Sequence, residues 1–111
     1  MNWKEVITMT HEERIEKIML STGNVNKPYI VRNIIFATTK VKDDLFDSTN
    51  DPNLAMRDIV YKLKQKATEY GADAVINCHF EHQEVEKNGQ LYLEVFAYGT
   101  VVQFTQSTIG G

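Results

Sequence analysis

The sequence predicts an α+β domain in which one main helix lies across one face of a small, mainly antiparallel sheet. Three segments support this prediction. Residues 28–41 are rich in β-branched and aromatic residues, residues 52–70 show helical periodicity, and residues 74–104 alternate around a turn signal. The helix stands apart from the strands instead of alternating with them, and this order is typical of an α+β fold.

The composition is that of a globular chain. It has 111 residues, 42% hydrophobic and 24% charged, so we expect one domain over residues 1–111 with a core at about 5–104. The net charge of -3 argues against a dedicated nucleic-acid-binding protein. No apolar run approaches the roughly 20 residues of a membrane span, and residues 1–10 lack a secretory signal. The single cysteine cannot form an internal disulfide, which favours a cytoplasmic protein.

The first part of the chain is compatible with two structures. Residues 6–10 are short and β-rich, which predicts an initial strand. Thr10 and Glu13 have the spacing of a capping box, which favours a helical turn at 11–14. Ile18, Leu20 and Thr22 alternate as they would in a strand, so the residues themselves leave both structures open beyond position 14.

The segment from about Pro52 to Tyr70 is predicted to be the main helix. A polar loop over 42–53 precedes it, Asp51 suits the N-cap, and Pro52 suits the first helical position. Gly71 provides the left-handed residue that commonly ends a helix. The predicted apolar stripe consists of Leu54, Ile59, Val60, Leu63, Ala67 and Tyr70.

The last part of the chain predicts a long hairpin. Residues 74–85 and 91–104 alternate as strands, and Asn88-Gly89 favours a tight turn between them. The joint Gly71–Val75 follows a helix and lacks the spacing of a dinucleotide or phosphate loop. The tail over residues 105–111 is expected to fray.

The stretch NCHFEHQE, residues 77–84, concentrates the candidate ligands of the chain. In a regular strand Ala74, Ile76, Cys78, Phe80, His82 and Glu84 would share one face. Cys78 and His82 would then lie about 13 Å apart, too far for one zinc ion. His79 and Glu81 would share the other face at about 7 Å between backbones. We therefore expect Cys78 to be a small buried core residue and not a nucleophile.

Most polar residues also have a structural interpretation. His79 and His82 can be solvated or hydrogen-bonded strand residues instead of ligands. The carboxylate pairs Glu12-Glu13 and Asp43-Asp44 are typical of solvated surface charge. The same holds for the lysines of the main helix, Lys62, Lys64 and Lys66.

Two stretches of the sequence resemble the YbjQ-like family. They are RDIVYKLKQKATEYGADAVINCHFEHQE and LEVFAYGTVVQF, with the joint Gly71–Val75 and the closing motif Tyr98–Val101. IEKIMLSTGNV is similar to the second strand of that family. The resemblance covers about residues 5–104, and the family is labelled heavy-metal-binding without an assigned activity. Tyr98 departs from the small residue usual at its position, and the loop KDDLFDSTND departs from a more Gly-rich one.

The resemblance implies a strand from Ile15 to Asn24 and a dodecin-like subunit that assembles as a ring-shaped homopentamer. It adds no residue to the metal label, but copies of His79 or His82 could converge around a ring axis. We therefore expect a non-enzymatic homo-oligomer that binds a transition-metal ion or small ligand at subunit boundaries. Candidate ligands are His79, Glu81 and His82, completed from another strand or subunit. The alternatives are a structural or partner-docking ring and a small-molecule enzyme using His79 or His82 with Glu81.

Overall fold

A computed structural model describes residues 10–42 and 52–105. Its elements are α1 (His11–Lys17), β1 (Met19–Leu20), β2 (Tyr29–Lys42), α2 (Pro52–Thr68), β3 (Ala74–Lys87) and β4 (Gln90–Phe104). Four sequence expectations lie wholly or mostly outside the described residues: the strand at 6–10, the surface pair Asp43-Asp44, the N-cap at Asp51 and the tail over 105–111.

The sheet has the strand order β1-β3-β4-β2. Strands β2 and β3 each pair antiparallel with β4, whereas β1 pairs parallel with β3. The predicted α+β class is confirmed, but the described sheet is mixed and not wholly antiparallel. Because β4 lies between β2 and β3, the chain from β2 through α2 to β3 is a split β-α-β unit.

Helix α1 resolves the segment that the sequence left open. The Thr10 hydroxyl accepts a hydrogen bond from the backbone N–H of Glu13 at 3.1 Å, as a capping residue does. The helix continues through Lys17 and buries Ile15 completely. The helical turn expected at 11–14 is therefore confirmed, and the strand implied over Ile15 to Asn24 is wrong except at β1.

Helix α2 begins at Pro52, as predicted, and packs an apolar stripe on the sheet. Gly71 has a φ of 63°, and the N–H of Ala72 donates to the carbonyl of Ala67 at 3.3 Å, which is the bond of a glycine-terminated helix end. The predicted stripe is wrong at Leu54, which is 55% exposed, because the neighbouring Ala55 faces the sheet instead. The buried residues of α2 are Ala55, Ile59, Leu63 and Ala67.

Two lysines of α2 bind the free edge of β2 instead of extending into solvent. Lys62 Nζ donates to the carbonyl of Thr38 at 3.0 Å, and Lys66 donates to the carbonyl of Phe36. Lys62 also pairs with Asp58 at 3.0 Å, and Asp58 accepts a hydrogen bond from the buried hydroxyl of Thr39. The expectation of a purely solvated lysine face is therefore wrong for this pair. These contacts occupy carbonyls of an edge strand, where exposed groups otherwise favour aggregation.

A β-bulge interrupts β3 near its start. Asn77 and Cys78 together face Gly99 of β4, and Asn77 adopts a φ of 52°, which asparagine tolerates better than most residues. Their N–H groups donate to the carbonyls of Gly23 and Ser21, each at 2.9 Å. Because of the extra residue, the alternation of side chains between the two faces is shifted by one position between residues 74–76 and residues 78–87.

The two faces of the sheet differ in cover. The inner face packs on α2 and carries Val75, Cys78, Val95, Ala97 and Val101 in one buried cluster with Ile35 and Ala37. The outer face carries Ala74 and Ile76 at one end, beneath Val25, Tyr29 and Phe104. The single shared face predicted for Ala74, Ile76 and Cys78 is therefore wrong, because the bulge separates them.

The middle of the outer face is apolar, and no other described residues cover it. Val31, Ile34 and Phe36 are 61%, 55% and 55% exposed, and Tyr98 stands beside them on β4. The Cα radius of gyration is 16.9 Å, against about 13 Å for a compact domain of this length. The molecule is therefore elongated, because the long strands extend beyond the helix.

The predicted turn at Asn88-Gly89 is confirmed by φ values of 53° and 77°.

Gly99→Ala is expected to destabilise the fold. A Cβ at Gly99 would lie 2.6 Å from Val75 Cγ1 and 3.1 Å from Cys78 Sγ. Moving these buried side chains should lower the free energy of unfolding by about 1–3 kcal/mol. Urea unfolding measures it, with Gly23→Ala as control, because the nearest atom there is Ser21 Oγ at 4.0 Å. An equal effect of both substitutions would contradict this account of Gly99.

The contacts of Asp58 predict an acid-dependent loss of stability. The hydrogen bonds from Thr39 and Lys62 lower the pKa of Asp58 from its ordinary value of 3.8. Its ionised form therefore stabilises the folded state above about pH 4, and this contribution is lost as the pH falls through the lowered pKa. Asp58→Asn should cost about 0.5–1 kcal/mol at pH 7, because the carboxylate is half exposed, and much less near pH 3. A penalty that stays constant between these pH values, measured by urea unfolding, would contradict it.

Candidate functional site

The bulge in β3 sorts the candidate ligands between the two faces. Downstream of Asn77 the alternation is regular, so His79 and Glu81 lie opposite Tyr98 and Phe96 on the outer face. His82 lies opposite Val95 on the inner face. The structure therefore brings His79 and Glu81 together and keeps His82 on the other side of the sheet.

His79 and Glu81 form a direct contact. His79 Nε2 lies 3.0 Å from Glu81 Oε1, and both side chains are more than half exposed. The His79 ring also packs against the Tyr98 ring, with 5.2 Å between centroids. This contact limits how the imidazole can turn. The pair offers one nitrogen and one carboxylate, which is half of a metal coordination shell.

Polar and apolar regions of the outer face meet at this pair. On one side Phe96 and Tyr98 are in ring contact, with centroids 5.9 Å apart. On the other side Gln83 Nε2 donates to Glu94 Oε1 at 2.9 Å, and Lys40 lies 3.9 Å from the same carboxylate group. The His79–Glu81 pair therefore borders the open apolar surface formed by Val31, Ile34, Phe36, Phe96 and Tyr98.

Cys78 is a core residue, as predicted. Its side chain is 6% exposed, and its thiol lies 3.5 Å from the carbonyl of Val75. Burial raises the pKa of the Cys78 thiol, and a backbone hydrogen bond with Ser21 opposes this only in part. The neutral thiol is favoured, which is the opposite of what a nucleophilic cysteine requires.

His82 lines an inner-face groove that the sequence did not indicate. The groove has a volume of about 380 Å³, and its walls are Met56, Phe80, Glu81, His82 and Val95. Met56 comes from the first turns of α2, so its position beside β3 depends on how the helix crosses the sheet. The sequence signal that could have suggested it is the spacing of Met56, which precedes Ile59 and Val60 of the predicted apolar stripe by three and four residues.

The acidic pair near the start of α1 has local partners. Glu12 accepts hydrogen bonds from the Tyr61 hydroxyl at 2.9 and 3.1 Å, which raises the pKa of Tyr61. The N–H of Glu13 donates to Thr10. These contacts join α1 to α2 and do not separate two carboxylates as an acid–base pair would require.

A complete metal site is absent from the part of the chain that the structure describes. No group of three or more His, Cys, Asp or Glu side chains there could surround one ion. A strong metal site that uses the His79–Glu81 pair would therefore need ligands from outside the described residues of one chain.

No helix in the described ranges is long and apolar enough to cross a membrane.

Comparison with known proteins gives one family. The sequence model of the family described as "Putative heavy-metal-binding", YbjQ, matches residues 12–105. A UPF0145 protein of Natronomonas pharaonis is 29% identical over 104 residues, which cover 86% of this chain and 91% of that protein.

A solved structure has the same fold. It is the crystal structure of a DUF74-family protein of unknown function from Pediococcus pentosaceus, with a TM-score of 0.71 and 26% identity. The match covers 79% of this chain and 98% of the other.

Proposed function

The chain belongs to the YbjQ family, and from that premise we propose that it is a non-enzymatic homo-oligomer that binds a transition-metal ion at subunit boundaries. The observation that carries the proposal is the contact between His79 Nε2 and Glu81 Oε1 on the outer face. A cytoplasmic location fits the buried, unpaired Cys78.

The His79–Glu81 pair suits borderline divalent ions. Imidazole nitrogen binds Zn²⁺, Ni²⁺ and Cu²⁺, and a carboxylate contributes charge and a further ligand. Two ligands from one chain bind weakly. Neighbouring copies of the chain would have to add the further ligands, either as His79 side chains repeated around a ring axis or as other side chains at the subunit boundary.

The open apolar surface supports assembly of several copies. Phe36, Ile34 and Tyr98 lie at its centre, and large exposed apolar surfaces in a soluble fold mark interaction sites. A homopentameric ring is the assembly that the family resemblance implies, and closed symmetry would repeat each His79 around an axis. The same surface supports a second candidate function, a structural or partner-docking ring that needs no ligand.

An acid–base enzyme has less support from the geometry. His79 and His82 lie on opposite faces of the sheet, so no single substrate contacts both in one subunit. His79 and Glu81 stand on an open surface, where water competes with substrate and the dielectric is high. The proposed role therefore remains binding and not catalysis.

Phe36→Asp is expected to dissociate the oligomer. A carboxylate at the centre of the open apolar surface would be desolvated without a partner on assembly, which disfavours the interface. Native mass spectrometry should show a multiple of the 12.7 kDa chain for the wild type, about five by family resemblance, and a monomer for Phe36→Asp.

Lys87→Asp is the control for this substitution. It introduces the same side chain at the end of β3, next to the hairpin turn and far from the apolar surface. It should leave the mass unchanged. A wild-type monomer at micromolar concentration would remove the basis for assembly.

His79→Ala is expected to weaken divalent metal binding. Titration with Zn²⁺ or Ni²⁺, followed by native mass spectrometry and calorimetry, should show at least about a tenfold loss of affinity, because the imidazole is the nitrogen ligand of the pair. His11→Ala, at the exposed start of α1, is the matched control and should bind as the wild type does.

A double variant, His79→Ala with His82→Ala, decides the role of the histidines. If divalent ions still bind it with wild-type affinity, the proposed metal site is wrong. If the wild type assembles as a ring but takes up no divalent ion, the structural or partner-docking ring is the better account.

A further inference from the structure

We propose that the inner-face groove bordered by Met56, Phe80 and His82 is a second metal site, selective for a soft monovalent ion, Cu(I) or its analogue Ag(I). This inference deepens the proposed metal function and depends on it for the biological role. It rests on different side chains, on the opposite face of the sheet from His79.

The first argument is the chemistry of the two available ligands. Met56, with its thioether, and His82, with its imidazole, line the same groove, and both residues are exposed. Thioether sulfur is a soft ligand that selects Cu(I), and imidazole also suits copper. Zn²⁺ prefers four ligands of the Cys, His and carboxylate kinds, whereas Cu(I) is stable with few ligands. The pair therefore discriminates between the two ions.

The second argument is the remaining wall of the groove. Phe80 lines the groove with Met56 and His82, and an aromatic ring attracts a cation near its face. Val95 also lines the groove, whereas the Glu81 carboxylate contacts His79 on the outer face. The groove thus combines two soft or borderline ligands with an aromatic and apolar wall.

The third argument is access. The groove is about 380 Å³, much larger than one ion, and it is formed where α2 begins and β3 continues past it. An ion can therefore enter and leave without unfolding of the core. This arrangement suits an exchangeable metal site better than a permanently closed structural one.

Cys78 is the competing soft ligand, and the test has to remove it. It lines a neighbouring groove of about 420 Å³ that shares Phe80. A thiol binds Ag(I) more strongly than a thioether does. Titrations are therefore made with a Cys78→Ala chain, whose fold is checked by circular dichroism. If that variant does not fold, the methyl measurement described below is made on the unsubstituted chain.

The experiment is Ag(I) titration of the Cys78→Ala chain, alone and with Met56→Leu or His82→Ala. We expect one Ag(I) for each chain and at least about a tenfold weaker binding in both variants. Met19→Leu is the matched control, because Met19 is an exposed methionine on β1 outside this groove, and it should bind like the parent. The Met56 methyl resonance should shift on titration while that of Met19 does not.

Two results would overturn the proposal. One is equal Ag(I) affinity for Met56→Leu and Met19→Leu, and the other is a Met56 methyl resonance that does not move. His79→Ala separates this site from the proposed divalent site. Ag(I) binding should survive that substitution even if Zn²⁺ uptake proves absent, so each site can fail without the other.

Discussion

The bulge at Asn77 and Cys78 opposite Gly99 is the constraint on which the arrangement of functional side chains depends. It lets Val75 and Cys78 both face α2, and it directs Ala74 and Ile76 to the outer face. Its two N–H groups bind the Ser21–Gly23 segment, so the same irregularity also anchors β1 at the sheet edge. Without the extra residue, the downstream part of β3 would be turned over, and every side chain from Cys78 to Lys87 would change face.

Helix α2 covers the β2 edge and the inner face of the sheet but not the outer face, and this difference favours assembly through the outer face. Two lysines of α2 donate hydrogen bonds to carbonyls of β2, which makes those carbonyls unavailable for pairing with another strand. The same helix covers the inner face, so the apolar residues of the core pack against each other there. On the outer face, Val25 before β2 and Tyr29 at its start cover only one end. The remaining apolar surface has no cover among the described residues, and it is the surface through which we propose that copies of the chain assemble.

Local sequence signals predicted the elements well, whereas contacts between distant residues were not predictable. Gly71 and Asn88-Gly89 determine backbone geometry by their own conformational preferences, so the helix end and the turn agree with the structure. The Asn77 bulge depends on Gly99 across the sheet, and nothing within residues 74–85 reveals it. His79 and Glu81 were correctly placed together because both follow the bulge. Met56 was missed because its place in the groove depends on how α2 crosses β3.

The division of ligands between faces has a chemical consequence. The proposed outer site has one nitrogen and one carboxylate from each chain, so its occupancy would depend on assembly. The proposed inner site has a nitrogen and a thioether from a single chain, so its occupancy would be independent of assembly. The Glu81 carboxylate belongs to the outer pair, because it contacts His79 on that face. The two proposed sites therefore share no ligand, and loading one with its ion should leave the affinity of the other unchanged.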